Sequence, residues 1–320
     1  MNLVKKTLQL FNGLHYGQEY LCLARESFAP TLYVYLVQDQ QVIKDITNQH
    51  LFVGYCPLVF AFTNEIPGEN IQLIFCNTAL LLNVQYAKKD AIAILNLRRI
   101  KTQNTGTSNI LYYEGTNGKH FFQPAFSQFI NALHNRWFNK KPGNVFLHSN
   151  LLKQVQIAYA LPRIISLITI CNSEGYNLFP TDLHGQAGEE HYIISLRTGG
   201  KACGQVLAAG KLVITQVDHT AYKTVYGLGK NHMQPLKPKE TFPFSELLSA
   251  NLQWPIPQQA FLYRELALLE SFNHGIHTIL LFKIVAKQQV APVPGTLAHI
   301  SNSYATWRYK NGQSGNYLLR

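Results

Sequence analysis

The chain is short of charge. Only 14% of its 320 residues are Asp, Glu, Lys or Arg, and 17 of those are acidic against 28 basic. Joined to 47% apolar residues, that scarcity excludes a mostly disordered chain, which needs high charge and low hydrophobicity. The five cysteines (Cys22, Cys56, Cys76, Cys171, Cys203) are odd in number, scattered and without a CxxC pair. That excludes a disulfide framework and a zinc-ribbon pattern. Cys56, Cys76 and Cys171 lie inside apolar runs, where a buried thiol is the ordinary outcome. No run approaches the roughly 18 apolar residues of a bilayer span, and the opening MNLVKKTLQLFNG has no signal-peptide core. A cytoplasmic setting with no membrane partner is the expectation.

Several catalytic motifs are missing too. Gly227–Leu228–Gly229–Lys230 is followed by Asn231, whereas a phosphate loop needs a Ser or Thr hydroxyl there for the metal. His232 occupies the place of the third glycine of a dinucleotide fingerprint, so a strand-end turn is expected instead. No serine sits in a G-x-S-x-G elbow. Twelve histidines invite a metal, but the pairs His184/His191 and His274/His277 lack further convergent ligands, and no metal is expected.

What is abundant is aromatic surface and basic charge. Tyr (17) and Phe (18) favour pleated, half-buried packing. The net charge of +11 suits an anionic partner: nucleic acid, an anionic membrane or a phosphate-bearing small molecule. Its basic groups are small (Lys5–Lys6; Arg98, Arg99 and Lys101; Arg136 with Lys140–Lys141; Lys237 and Lys239), which argues against nucleic acid.

Strand signals dominate both halves. TLYVYLV (31–37), VIKDIT, LFVGYCPLVFAF (51–62) and IQLIFC (71–76) read as strands, and AIAILNL (91–97) as a buried strand or short helix. LYYEGTNGKHFF (111–122) reads as a hairpin turning at Asn117–Gly118. Over Ala125–Phe138 the period changes: Phe126, Phe129, Ile130, Leu133 and Trp137 share one helical face after Pro124. Lys140–Lys141–Pro142–Gly143 ends that helix, which places a boundary in 139–150 and domains at 1–145 and 146–320. Farther on, HYIISL, KLVITQV and HTILLFKIVAKQQV read as strands, the Gly/Ala-rich bridge after HYIISL as a short helix, and QQAFLYRELALLES (258–271) as a helix. A mainly β fold with some α, built as an antiparallel barrel, is the expected class.

The order "PRIISLITICNSEGYNLFPTD", "YIISLRTGGKACGQVLAAGKLVITQVD", "HGIHTILLFKIV" resembles the flavin reductase-like, FMN-binding split-barrel family over about residues 155–310. In that family a first strand starts near a Pro-Arg, and a Gly-x-x-Asn turn follows; Gly175–Tyr176–Asn177 has one residue fewer between. The resemblance implies a split barrel in the C-terminal half holding FMN or FAD, with NAD(P)H as substrate. It implies that Asn177, Pro180, Thr181 and Asp182 line the flavin, and that His277 lies near the nicotinamide as the catalytic candidate. Arg197, Thr198 and Lys201 form the phosphate cradle it implies, with Gly199–Gly200 admitting close backbone approach. As residues alone, 177–182 also suit a surface loop, 197–201 a solvated hairpin end, and His277 a satisfied strand-edge histidine. About 150 residues precede the resemblance. They suit a degenerate second barrel, in which case the flavin site is completed by an internal pseudo-dimer rather than a homodimer. Three functions follow in order: an NAD(P)H-dependent flavin reductase, a non-catalytic flavin-binding protein, and a basic nucleic-acid-binding module.

Overall fold

The computed structural model describes residues 7, 11, 13, 14, 20–25, 32–63, 66, 68–87, 89–106, 109–138, 145–292, 295–312 and 317–319. The chain divides into two compact units. The first comprises Met1–Leu21, Ala29–Pro162 and Ile300–Gly315, and the second Cys22–Phe28, Arg163–His299 and Asn316–Arg320. Among the described residues no helix is long and apolar enough to cross a membrane.

Among the described residues, the main sheet of the first unit has seven strands: β1 (Tyr33–Gln38), β2 (Gln41–Asp45), β3 (His50–Tyr55), β4 (Leu58–Phe62), β5 (Asn70–Cys76), β6 (Ala93–Asn104) and β7 (Asn109–His120). They form one antiparallel sheet in the order β2-β1-β5-β6-β7-β4-β3. Every residue of β4 (LVFAF) is buried, the mark of a strand covered on both faces. β6 alternates buried and half-buried at its start, as a strand with one core face does. Helices α1 (Ala125–Phe138) and α2 (Leu151–Ala158) follow.

The hairpin expected at Asn117–Gly118 does not form there. β7 is continuous, with Asn117 opposite Asn96 and Gly118 opposite Leu95. Gly118 is small for a packing reason. A Cβ there would meet Gln154 Cγ at 3.0 Å and Ile157 Cδ1 at 3.1 Å, so α2 lies directly on the strand. Asn150 holds this junction, donating to the Gly118 carbonyl (2.9 Å) and accepting from its N–H (2.5 Å). Residues 146–162 therefore belong with the first unit, and the division falls at Pro162/Arg163, beyond the boundary read from the composition.

The second unit carries β8 (Ser166–Asn172), β9 (Gly175–Thr181), β10 (His184–Ala187), β11 (His191–Arg197), β12 (Lys211–Val217), β13 (Ala260–His274) and β14 (His277–Gln289). Their order is β9-β8-β12-β13-β14-β11-β10. Adding seven to each label of the first sheet reproduces the second, so both units are wound identically. Each also has a long hairpin with two bulges, at Asn96/Leu97 and Arg99/Lys101 in β6–β7 and at Glu265/Leu266 and Leu268/Glu270 in β13–β14. The expected helix over 258–271 is thus a turn at 258–259 followed by strand from Ala260: Tyr263 and Arg264 register with Gln288 and Lys287 on one side and with Thr215 and Ile214 on the other.

The second sheet curls. Phe179 of β9 and Ile194 of β11 share a core with Ile168, Ile214, Leu266 and Phe282. Laid flat, β9 and β11 would stand five strand spacings apart, roughly 24 Å. One shared core requires a partly open barrel, and bulges supply the added twist. Helix α3 (Lys201–Ala209) sends Ala202, Cys203 and Val206 into the same core. Helix α4 (Tyr222–Leu228) contributes Val225 and Leu228 to a second core, shared with Leu167 and Leu178. Gly227–Gly229 is helical, continuing into a 3₁₀ turn over Gly229–Met233, and not the strand-end turn expected from its glycines.

Candidate functional site

The site lies at the end of β9. Gly175 opens that strand at φ 137, where a side chain is strained, and a Cβ there would stand 2.6 Å from the Lys237 carbonyl oxygen. Tyr176 and Lys237 exchange backbone hydrogen bonds of 2.8 Å at this point. β9 is an edge strand, which is why Pro180, with no N–H to give a ladder, is tolerated in it.

Asp182, just past the strand, anchors a charged cluster. Arg163 Nη1 donates to its Oδ2 at 2.7 Å and His299 Nδ1 meets the same oxygen at 2.8 Å. Arg163 and His299 are register partners on a short antiparallel ladder, which aims both at one point. Burial raises the carboxyl's pKa, but the Arg163 guanidinium and the His299 hydrogen bond outweigh it and hold the group well below the usual carboxylate range. Among the described residues no donor meets Oδ1, and the Asp182 side chain is 24% exposed. It borders a pocket of about 200 Å³ lined by Ile165, Pro180, Thr181, Val225, Tyr226 and His299.

Two more histidines stand close by. His184 Nε2 lies 3.0 Å from the Ile164 carbonyl, which can only accept, so Nδ1 accepts from the Tyr192 hydroxyl at 2.7 Å. Burial lowers its pKa to about 4, keeping that neutral form. His232, on the 3₁₀ turn, donates from Nε2 to the Pro180 carbonyl at 2.7 Å, and its ring packs 4.8 Å from Phe179. Burial lowers its pKa as well.

The residues expected from the sequence to hold the flavin separate into three groups. Pro180, Thr181 and Asp182 line the pocket together. Asn177 does not: it is fully buried, donating to Gln205 Oε1 (2.6 Å) and the Asn231 carbonyl (3.2 Å), and so ties β9 to α3. Arg197, Thr198 and Lys201 are exposed on the turn into α3, where Gly200 is the N-cap and offers no side chain. A Cβ on Gly199 would meet nothing within 4 Å, so the backbone there is open to approach. A Cβ on Gly200 would lie 3.7 Å from the His232 carbonyl oxygen, and Arg197 and Asp182 both act on the charge of His232 and of His277. The two stretches thus converge on His232.

His277 is 2% exposed at the start of β14, with Nδ1 3.1 Å from Ser195 Oγ. Burial first, and Arg197 second, lower its pKa to about 4. His184 and His232 were met in the sequence only in motifs that were set aside, and His299 was not singled out at all. Arg163 was visible only as the Pro-Arg before the strand.

No family model matches the chain, and no curated protein matches it. Among solved structures, an FMN-binding protein from Thermus thermophilus with bound p-hydroxybenzaldehyde is similar at 18% identity, over 44% of this chain and 87% of that one, with a TM-score of 0.38. An NADH:FAD oxidoreductase from Streptomyces globisporus is similar at 12% identity over 51% and 96%, TM-score 0.42. The styrene monooxygenase flavin reductase of Pseudomonas putida S12 is similar at 14% over 47% and 93%, TM-score 0.38.

Proposed function

We infer that the second unit binds a flavin nucleotide, FMN or the FMN portion of FAD, and that the chain is an NAD(P)H-dependent flavin reductase-like oxidoreductase. The observation that carries this reading is the convergence of the basic turn Arg197–Lys201 and the Pro180–Asp182 strand end on His232.

The residues fit the two ends of such a guest differently. A phosphate suits the turn: two cations, a Thr hydroxyl, an open glycine backbone and the first N–H groups of a nine-residue helix. It does not suit the Asp182 corner, where the free Oδ1 of a carboxylate would repel it. That oxygen accepts only, and suits a ring N–H. The 200 Å³ pocket is smaller than the roughly 300–1,000 Å³ of a ligand site, so it takes one edge of a ring system and not the whole nucleotide. When bound, the flavin supplies hydride acceptance from a reduced nicotinamide, while the protein supplies position and charge.

The first unit has no counterpart of the basic turn. Its β4–β5 connection, residues 63–69, reads TNEIPGE and holds no cation, against RTGGK between β11 and α3. One flavin per chain is the expected stoichiometry. A second reading, a flavin-binding protein without reductase activity, is favoured by His277: at 2% exposure it is a buried partner of Ser195 and is not open to a nicotinamide. FMN titration separates the cases from nothing bound, and NAD(P)H consumption separates them from each other. Lys201→Glu is expected to weaken FMN binding tenfold or more, with unchanged affinity for riboflavin, which lacks the phosphate.

A further inference from the structure

Helix α1 is built inside out. The face turned to the body is polar: buried Asn135 donates to the Leu147 carbonyl at 2.7 Å, half-buried Asn131 to Gln123 Oε1 at 3.1 Å, and half-buried Gln128 to the Gln123 carbonyl at 2.9 Å. Ser127 is buried beside them. The aromatic face points the other way, with Phe126 66%, Phe129 59% and Trp137 67% exposed, and Phe121 just before the helix 42% exposed. Three large rings at this spacing make one continuous stripe on a helix whose polar face is already fastened to the body of the first unit.

Along the sequence, the charge flanking the helix has one sign. From Lys119 to Lys141 there is no Asp or Glu, and the cations are Lys119, Arg136, Lys140 and Lys141. Lys119 Nζ stands 5.2 Å over the Phe121 ring, so cation and aromatic face solvent together. Phe and Trp flanked by Lys and Arg, on a helix too polar to be inserted, is the composition of a helix lying in a membrane interface. Anionic lipid headgroups match the cations, and the net +11 of the chain attracts it to such a surface from a distance.

We propose that α1 docks the protein on an anionic lipid surface, with Phe126, Phe129 and Trp137 entering the headgroup boundary. The expectation of no membrane partner rested on the lack of a spanning segment, and an interfacial helix does not need one.

Trp137 reports on its own face, because Trp254 is buried and Trp307 is half-buried. The full chain is titrated with phosphatidylcholine vesicles holding roughly one-third phosphatidylglycerol, and with phosphatidylcholine vesicles alone. The expected result is a blue shift of tryptophan emission and co-sedimentation with the anionic vesicles only, weakened by salt. Phe129→Ser/Trp137→Ser, read by sedimentation, is expected to bind at least tenfold more weakly with an unchanged thermal midpoint. Arg136→Glu gives a second, single-site loss if the double variant misfolds. No binding to anionic vesicles at low ionic strength overturns the proposal, as does undiminished binding by both variants. A concentration-dependent blue shift without lipid also overturns it, since a second copy would then cover the stripe, and so does a stripe that captures an acidic protein but no vesicle.

Discussion

Arg163→Leu tests the charged cluster most sharply. Arg163 and Asp182 have side-chain exposures of 6% and 24%, so the carboxylate is largely withdrawn from water and depends on its partners. Removing one member of a buried ion pair costs about 3–5 kcal/mol, because a charge is left uncompensated. Asp182 would keep His299 at 2.8 Å and some water contact, which puts the expected cost near the low end, about 3 kcal/mol. For a unit of this size that corresponds to a fall in thermal midpoint of roughly 9 °C. Differential scanning calorimetry at pH 7 reads it. The sign of the pH dependence follows from the depressed pKa of Asp182: its stabilisation is present above the unfolded carboxyl pKa of about 4 and disappears only in stronger acid. The gap between wild type and variant should therefore persist at pH 5 and close well below pH 4. Arg163→Leu/Asp182→Asn should recover much of the loss, since it removes the orphaned charge. A midpoint within about 2 °C of wild type, or strictly additive costs in the double variant, would refute the reasoning.

Three further outcomes are expected. His277, held neutral with a pKa lowered from 6.5 to about 4, must stay unprotonated in the fold while the unfolded chain takes up a proton. Stability of the second unit should then fall as pH drops from 6.5 toward 4, by up to about 3 kcal/mol from this group, and His277→Gln should flatten that slope in urea titrations. Gly175→Ala places a Cβ 2.6 Å from the Lys237 oxygen at a positive φ, and should cost about 2 kcal/mol by chemical denaturation. Gly118→Val drives a side chain into Gln154 and Ile157, and should cost about 1–3 kcal/mol in the first unit, leaving FMN affinity of the second unchanged.

Much of the β architecture is legible in the residues because buried strands announce themselves locally: LVFAF, IQLIFC and KLVITQV are apolar, β-branched or aromatic, and short. Errors arose where a residue's role depends on a distant partner. Asn117–Gly118 has turn chemistry, yet the glycine exists to admit α2, which begins more than thirty residues on. Residues 258–271 carry helical spacing, but two flanking strands, β12 and β14, claim their backbone. Site residues divide the same way. Pro180, Thr181 and Asp182 are neighbours in the chain and in the pocket. His232 joins them from 52 residues away and His299 from 117, separations that no local pattern encodes. The twin winding of the two units was open to suspicion from strand content alone, but it takes strand order to establish it.

The most direct test of the central claim is titration of FMN fluorescence with the purified full chain at micromolar concentration. The account predicts saturable quenching at one FMN per chain, competition by inorganic phosphate, and at least tenfold weaker binding in Lys201→Glu. FMN that stays fully fluorescent beside folded protein, or binding indifferent to Arg197 and Lys201, would contradict it.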